Sequence, residues 1–174
     1  MYRLRELERK DISAINKWRS NRKLIDYLGA PFRFINNEID DKWFDNYLAN
    51  RHSNIRCTIV DDDNNILGLV SLTEIDRLNQ SATFHIMIGD SNSRGKGIGS
   101  FATYDMLKHA FYDMNLNRIE LTVLDSNYRA IKMYEKIGFK QEGIKKQAIY
   151  KNGTFVDMII MAILKKDFTH EVSL

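Results

Sequence analysis

The sequence is poor in the residues that mark several specialised classes of protein. It contains a single proline, Pro31, and a single cysteine, Cys57, among 174 residues. One proline argues against long linkers or disordered tails, and one cysteine excludes an internal disulfide framework or a multi-cysteine zinc site. Cys57 lies in a pattern typical of a strand, which favours a small core residue over a catalytic thiol. The acidic segment 61–65 lacks the spacing of a calcium loop and predicts a hairpin turn, so we expect no metal.

Long apolar runs and clustered charge are also absent. No apolar run approaches the ~18 residues of a membrane span, and the first residues alternate charged with apolar side chains, unlike a signal peptide. The net charge is +3, but the basic residues form only short pairs such as Lys145-Lys146, not the stripe that nucleic acid requires. We therefore expect a cytoplasmic protein without a membrane or nucleic-acid partner.

The sequence does contain a regular succession of strand and helix patterns. Hydrophobic residues make up 44% and charged residues 28% of the chain, which suffices for a buried core. The predicted order is β-α-α-α-β-β-β-α-β-α-β-β, in which Asp11 is expected to cap the first helix and the second short helix to run to Leu28. Asn152-Gly153 predicts a tight turn between the last two strands. We therefore predict a mixed α/β (α+β) fold, with one twisted mixed sheet of about seven strands flanked by helices.

A glycine-rich segment with two cations separates a predicted strand from a predicted helix. Gly95, Gly97 and Gly99 permit tight turns and a close approach of the backbone to a ligand. Arg94 and Lys96 add positive charge. Since the free amides at a helix N-terminus bind phosphate groups, the segment predicts an anion site.

Three simpler interpretations of this loop fit the residues less well. An ATP-binding P-loop needs four residues between its first glycine and Gly-Lys, whereas five separate Gly89 from Gly95. A dinucleotide fingerprint is matched by Gly97, Gly99 and Ala102, but the strands before it do not form a βαβ unit. A plain helix cap requires neither three alternating glycines nor two flanking cations.

Arg94, Gly97 and Gly99 also match the pattern Arg/Gln-x-x-Gly-x-Gly/Ala, which resembles the pyrophosphate loop of the GNAT acetyltransferase superfamily. The segment from Asn127 to Phe139 resembles the second cofactor segment of that family, and the two motifs have the family's order and spacing. The element order agrees over nearly the whole chain. The resemblance is closest to the branch of spermidine, ribosomal-protein and nucleotide-amino-sugar N-acetyltransferases, in which an Asn-Gly hairpin followed by an Asp is common.

The resemblance implies that acetyl-CoA is the acyl donor and that its contacts come from three stretches of chain. These contacts are Ile86, Met87, Ile88, Arg94, Gly95, Lys96, Gly97, Ile98, Gly99, Ser100, Asn127, Ala130, Tyr134 and Lys136. It also implies splayed strands around 84–88 and 121–124, whose backbone amides would face the thioester. Within a single domain, 1-174, we expect 1-81 to form the acceptor side, 82-139 the acetyl-CoA-binding core, and 140-174 the C-terminal hairpin and tail.

Transfer to an amine requires a base for the amine and an acid for the departing thiolate. Tyr134 is the candidate general acid, its alternative role being an aromatic that packs the helix. Many relatives carry Ala-Glu where this chain has Ala82-Thr83, so the base is open. Glu74 and His85 are the candidate substitutes, and a water chain without a dedicated base is a further alternative.

The acceptor is expected to lie between the early helices and the last hairpin. The candidate acceptor residues are Trp18, Arg19, Tyr27, Arg33 and Trp43. The sequence leaves a polyamine, a nucleotide-linked amino sugar and a protein N-terminus open as acceptors. A non-catalytic acyl-CoA-binding module and a homodimer, which is common in the family, also remain open.

Overall fold

A computed structural model describes residues 1–89, 93 and 95–169. The strands are β1 Arg3–Glu6, β2 Ile55–Val60, β3 Ile66–Asp76, β4 Ser81–Ile88, β5 Arg118–Leu124, β6 Lys140–Lys151 and β7 Thr154–Leu164. The helices are α1 Ile12–Arg19, α2 Arg22–Ile25, α3 Asn37–Ala49, α4 Ile98–Lys108 and α5 Tyr128–Ile137. Short 3₁₀ turns cover Arg9–Asp11 and Lys165–Asp167, and a π-helical turn over His109–Asp113 follows α4. The predicted order of elements and the mixed α/β class are confirmed.

The seven strands form one sheet in the order β1-β2-β3-β4-β5-β7-β6. All neighbours are antiparallel except β4 and β5, which run parallel and pair only from Ser81–Arg118 to Thr83–Glu120. Beyond Thr83, β4 continues to pair with β3 as far as Ile88, and β5 continues to pair with β7 as far as Leu124. The two central strands therefore diverge, and the predicted splay over 84–88 and 121–124 is confirmed.

The two faces of the sheet are covered differently. Helices α4 and α5 cover one face, where Leu72, Phe84 and Ile119 join Leu107 and Ile131 in the main core. On the other face α1 and α3 form a smaller cluster that includes Leu69. Because side chains alternate along a strand, Thr83 and His85 point away from Phe84, toward the face that carries α1 and α3.

The turns predicted for the two hairpins are confirmed. In the first, Oδ1 of Asp61 accepts hydrogen bonds from the amides of Asp63 and Asn65, which closes the turn. In the second, Asn152 and Gly153 have φ values of 50° and 85°. Two successive residues at positive φ match the right-handed twist of the flanking strands. None of the helices within the described residues is long and apolar enough to cross a bilayer.

Two local predictions are wrong in detail. Helix α2, predicted to run to Leu28, ends at Ile25. The amides of Tyr27 and Leu28 bond three residues back instead of four, and the carbonyls of Ile25 and Leu28 accept hydrogen bonds from the Lys151 side chain. Asp11 precedes α1 as predicted but caps none of its amides. Its buried carboxylate instead accepts hydrogen bonds from the Arg5 guanidinium and the Glu8 amide.

Candidate active site

The N-terminus of α4 lies at the end of the glycine loop and has no side-chain cap. Gly97 is its N-cap residue with φ 78°, and a glycine has no side chain with which to cap the first turn. Helices α3 and α5 are each capped by an asparagine oxygen, from Asn36 and Asn127. Among the described residues the first amides of α4 are therefore available to a ligand, as the anion-site prediction requires.

The remaining loop residues have different exposures. Gly95 and Lys96 are exposed, Gly99 and Ser100 are half-buried, and Ile98 is buried. The predicted cation Arg94 lies outside the described residues. A Cβ on Gly97 would meet no atom within 4 Å, so this position needs glycine for its positive φ and not for lack of space.

A further cation, Arg129 of α5, contacts this loop. A Cβ on Gly95 would lie 3.0 Å from Nη2 of Arg129, which places that guanidinium against the loop. A Cβ on Gly99 would lie 3.2 Å from Sδ of Met133, so α5 also packs closely against the start of α4. Sequence reasoning missed Arg129, although it lies between Asn127 and Ala130 in the predicted cofactor segment.

Asn127 links the cofactor segment to the early helices. Its Oδ1 accepts from the Ala130 amide at 3.3 Å, and its Nδ2 donates to the Tyr27 carbonyl at 3.2 Å. A depression of about 310 Å³ lies here, lined by Asp26, Tyr27, Leu124, Ser126, Asn127, Tyr128 and Arg129. Asn127 is thus a helix cap whose second polar atom organises a neighbouring concave surface.

Tyr134 lies on the buried face of α5, close to the point where the strands diverge. Its side chain is 6% exposed, and its ring packs against Phe84 and Phe139 with centroid distances of 6.3 and 5.5 Å. Burial raises the pKa of its phenol above the ordinary value, with no charged neighbour contributing. The phenol therefore stays protonated at neutral pH, as a proton donor must.

The base candidates lie on the opposite face of β4. Oγ1 of Thr83 donates to the Glu74 carboxylate at 2.9 Å, so Glu74 reaches the position at which relatives carry glutamate. Glu74 occupies a bulge at φ 52°, where β3 loses its register with β4. The bulge redirects the side chain, since an extra residue re-aims its neighbours. The structure thus joins Glu74 to Thr83.

His85 lies two residues further along the same face. Its Nε2 shares a hydrogen bond of 2.9 Å with Oγ1 of Thr73. The residue is open to solvent, yet surrounding protein desolvates the ring, and this lowers its pKa together with the nearby Arg56 guanidinium. Glu74 acts in the opposite direction with a smaller effect. His85 is therefore neutral at physiological pH, as a general base must be.

A further carboxylate that the sequence did not single out for this site comes from β5. Glu120 is the register partner of Thr83 across the short parallel pairing, so both side chains lie on one face. Its carboxylate accepts from Nη2 of Arg118 at 3.1 Å, and the same guanidinium binds Glu142 with bonds of 2.8 and 2.6 Å. Arg118 thus forms ion pairs with two carboxylates. Glu120 and Glu74 lie on either side of Thr83.

The predicted acceptor residues occupy different environments. The guanidinium of Arg19 binds the buried carboxylate of Asp40 and lies 5.6 Å from the Trp43 ring centroid, so both residues take part in packing. The Trp18 ring fills the space beside Gly89, where a Cβ would lie 1.9 Å from its Cε2. Tyr27 and Arg33 are exposed. Their contacts with an acceptor stay predictions.

The other predicted cofactor residues lie on β4 and α5, and their contacts with the donor stay predictions. Ile86, Met87 and Ile88 are half-buried on the edge of β4 that faces β5 but no longer pairs with it. Lys136 is exposed in the last turn of α5. The uncapped helix, the glycines that leave room beside Arg129, and the divergent strands together fit an extended thioester with a phosphate-bearing end.

Comparison with known proteins agrees with this geometry. A family model described as an acetyltransferase (GNAT) domain matches residues 2–140. The spermidine N(1)-acetyltransferase of Vibrio cholerae is 32% identical over 168 residues, which covers 95% of this chain and 94% of that protein. The enzyme of the same name from Escherichia coli K12 is 29% identical over 171 residues, 97% of this chain and 89% of that protein.

A crystal structure of spermidine N-acetyltransferase from Vibrio cholerae in complex with CoA and spermine has the same fold. The TM-score is 0.89 at 29% identity, and the superposition covers 95% of this chain and 96% of that one. The family model spans most of the sequence, and it includes the glycine loop, both divergent strands and Tyr134. The chain therefore belongs to the GNAT acetyltransferase family and is an acetyl-CoA-dependent N-acetyltransferase.

Proposed function

We propose that the enzyme transfers the acetyl group of acetyl-CoA to a primary amine of a polyamine. The observation that carries this proposal is the pair of carboxylates, Glu74 and Glu120, on either side of Thr83 where β4 and β5 part. A cationic chain with several ammonium groups is complementary to this arrangement. The similarity to enzymes named spermidine acetyltransferases supports the same class of acceptor.

The proposed chemistry uses groups on opposite faces of the divergent strands. Tyr134, on the helical face, donates its proton to the thiolate as the thioester bond breaks. Glu74 or His85, on the other face, accepts the proton that the amine releases as the new C–N bond forms, directly or through water. Backbone amides on the unpaired edges of β4 and β5 stabilise the oxyanion. The opening between the strands is where the two reactants meet.

The donor-binding residues follow from the same geometry. The free amides of α4 and the guanidinium of Arg129 bind the pyrophosphate, because charge-assisted hydrogen bonds at a helix N-terminus favour phosphate oxygens. Asn127 contributes through the helix that it caps.

A direct test measures thiol release from acetyl-CoA with a panel of amines. The panel contains spermidine, a nucleotide-linked amino sugar, an aminoglycoside and a short peptide. We expect spermidine to have the highest kcat/KM, and Glu120→Gln to raise its KM about tenfold with little change in kcat, since one charge-assisted contact is lost. Asp63→Asn, in the exposed β2–β3 turn, is the matched control. A peptide preferred over spermidine would reject the proposal.

One observation favours an anionic acceptor as a second candidate. The guanidinium of Arg56 lies 4.9 Å from the Trp43 ring centroid, and its Nε is buried without a partner among the described residues. Burial lowers its pKa, and the nearby Tyr47 opposes this with a smaller effect. Arg56, Ser71 and His85 are register partners on the adjacent strands β2, β3 and β4, so Arg56 lies on the same face of the sheet as the candidate base His85. A phosphate group of an acceptor bound there would supply the counter-charge that Arg56 lacks. Preference for the nucleotide-linked sugar in the panel would establish this alternative.

A further inference from the structure

Lys151, the last residue of β6, is a buried lysine with an unusual set of partners. Its side chain donates to the carbonyls of Ile25, Leu28 and Ala30 at 2.9, 2.9 and 2.8 Å. The residue is only 8% exposed. Since an ammonium group has three N–H donors, these carbonyls use all of them. Lys151 forms no ion pair within the part of the chain that the structure describes, so backbone carbonyls are its direct partners, and the Asp26 carboxylate favours its charged form from a greater distance.

The segment that accepts these bonds, residues 25–30, is held from three other sides. Nδ2 of Asn127 binds the Tyr27 carbonyl at 3.2 Å, and Nδ2 of Asn152 binds the Asp26 carboxylate at 3.1 Å. A Cβ on Gly29 would lie 2.6 Å from Cε of Met158, so the segment also packs directly on β7. We call residues 25–30 the dividing segment.

The dividing segment lies between two depressions. One, of about 310 Å³, is formed with Asn127 and Arg129 beside the donor-binding helix α5. The other, of about 270 Å³, is formed with Arg22, Phe32 and the tip of the last hairpin. Asp26 lines both of them. A displacement of this segment would therefore change the shape of both surfaces at once.

The dividing segment begins in the last residue of a very short helix. Helix α2 contains only residues Arg22–Ile25, and so short a helix is not stable by itself. Without Lys151, the carbonyls of Leu28 and Ala30 would lose the ammonium donor, and the Ile25 carbonyl would keep only the Leu28 amide. The position of the segment thus depends on a side chain more than 120 residues away in sequence, since the Lys151–Ile25 separation is 126.

We propose that Lys151 is a positioning residue that couples the donor site to the acceptor site by holding the dividing segment in place. The donor end of this coupling is the Asn127–Tyr27 bond, and the acceptor end is the depression beneath the hairpin tip. The assignment of that second depression to the acceptor rests on the proposed function. Linkage requires the coupling to be reciprocal, so bound acetyl-CoA tightens the acceptor and the acceptor tightens acetyl-CoA.

The test replaces Lys151 by methionine, which keeps the chain length but removes the donors. Lys145→Met is the matched control, because Lys145 is an exposed lysine of the same strand. Calorimetry measures acetyl-CoA affinity without acceptor, steady-state kinetics measures the KM of spermidine at saturating donor, and amide exchange follows residues 25–30. We expect Lys151→Met to weaken both ligands about 5- to 50-fold, within the usual range of coupling. We also expect kcat to change less than threefold, and exchange to accelerate in the dividing segment but not in β4.

A double-mutant cycle distinguishes positioning from a general loss of stability. Asn127→Ala and Lys151→Met act on the same segment, so their effects on acetyl-CoA affinity should be non-additive. Additive effects, or unchanged affinities despite faster exchange, would overturn the proposal. If Lys151→Met does not fold, Lys151→Gln keeps an amide donor and should show a smaller loss of the same kind. Wild-type affinity in that variant would count against the proposal equally.

The donor measurement separates this proposal from the proposed function. Should spermidine prove not to be acetylated while Lys151→Met still loses acetyl-CoA affinity, the acceptor assignment fails and the positioning role stands. Should spermidine be acetylated with unchanged constants in Lys151→Met, the positioning role fails alone.

Discussion

Replacement of Tyr134 by phenylalanine removes one hydroxyl group and tests the assignment of the general acid. The ring would keep its contacts with Phe84 and Phe139, since these involve carbon atoms only. Among the described residues no other side chain forms a hydrogen bond with the phenol, so the substitution removes none, and burial is the cause of the raised phenol pKa. The free energy of unfolding should therefore change by no more than about 0.5 kcal/mol.

The effect on catalysis should be much larger. General acid catalysis contributes about 10²- to 10⁴-fold, which corresponds to ~3–5 kcal/mol of transition-state stabilisation. We expect kcat of Tyr134→Phe to fall by that factor while the KM of acetyl-CoA stays within about threefold. Because the phenol pKa is raised, its deprotonation should not limit the wild-type rate below pH ~10, the ordinary value for tyrosine.

Thiol release measured under single-turnover conditions isolates the chemical step from product release. Tyr2→Phe is the control, because the Tyr2 ring packs against Phe101 and belongs to a different aromatic contact from that of Tyr134 with Phe84 and Phe139. Thermal unfolding of both variants verifies that the fold is intact. A Tyr134→Phe enzyme that retained full single-turnover rates would refute the acid role, and Tyr134 would then be an aromatic that packs the helix.

Three further predictions concern the donor loop and the base. Gly97→Ala forces a side chain into φ 78°, at a cost of about 1–2 kcal/mol, and should weaken acetyl-CoA about tenfold in a calorimetric titration. Gly143→Ala, whose Cβ makes an ordinary 3.7 Å contact, should not weaken it, and equal losses would reject the strain argument. Arg129→Met should raise the KM of acetyl-CoA about 10- to 100-fold through a lost charge-assisted bond, whereas Lys132→Met on the exposed side of α5 should leave it unchanged. The pKa of His85 is lowered from its ordinary value of 6.5, so the ring becomes protonated only below pH 6.5. If His85 is the base, the acid limb of the kcat/KM profile should therefore lie below pH 6.5 and disappear in His85→Gln. An unchanged limb in that variant would leave Glu74 or water as the base.

Much of the donor site was predictable because its parts are local in sequence. The glycines of the loop and the Asn127 cap act on their own neighbours, since positive φ values and free helix amides arise within a few residues. Tyr134 follows Asn127 by about two helical turns, so its placement on the same face of α5 required only the helical period. The hairpin turns at 61–65 and 152–153 were predictable for the same reason.

The contacts that sequence reasoning missed join segments far apart in the chain. Arg129 was hidden because its proximity to Gly95 depends on how α5 packs against α4. Glu120 became a neighbour of Thr83 only through the short parallel pairing of β4 with β5. Three carbonyls of residues 25–30 bind Lys151, which no local pattern connects with that segment.

The sequence by itself determined the class of fold, the donor loop and the candidate acid of this acetyltransferase. Those features follow from periodicity, glycine conformations and helix termini, which need only neighbouring residues. The tertiary structure alone decided that Glu120 lies beside Thr83, that Glu74 reaches Thr83 through a bulge, and that residues 25–30 are held by a distant lysine. These features depend on strand register and on side chains that meet after folding, and neither is encoded in the spacing of residues along the chain.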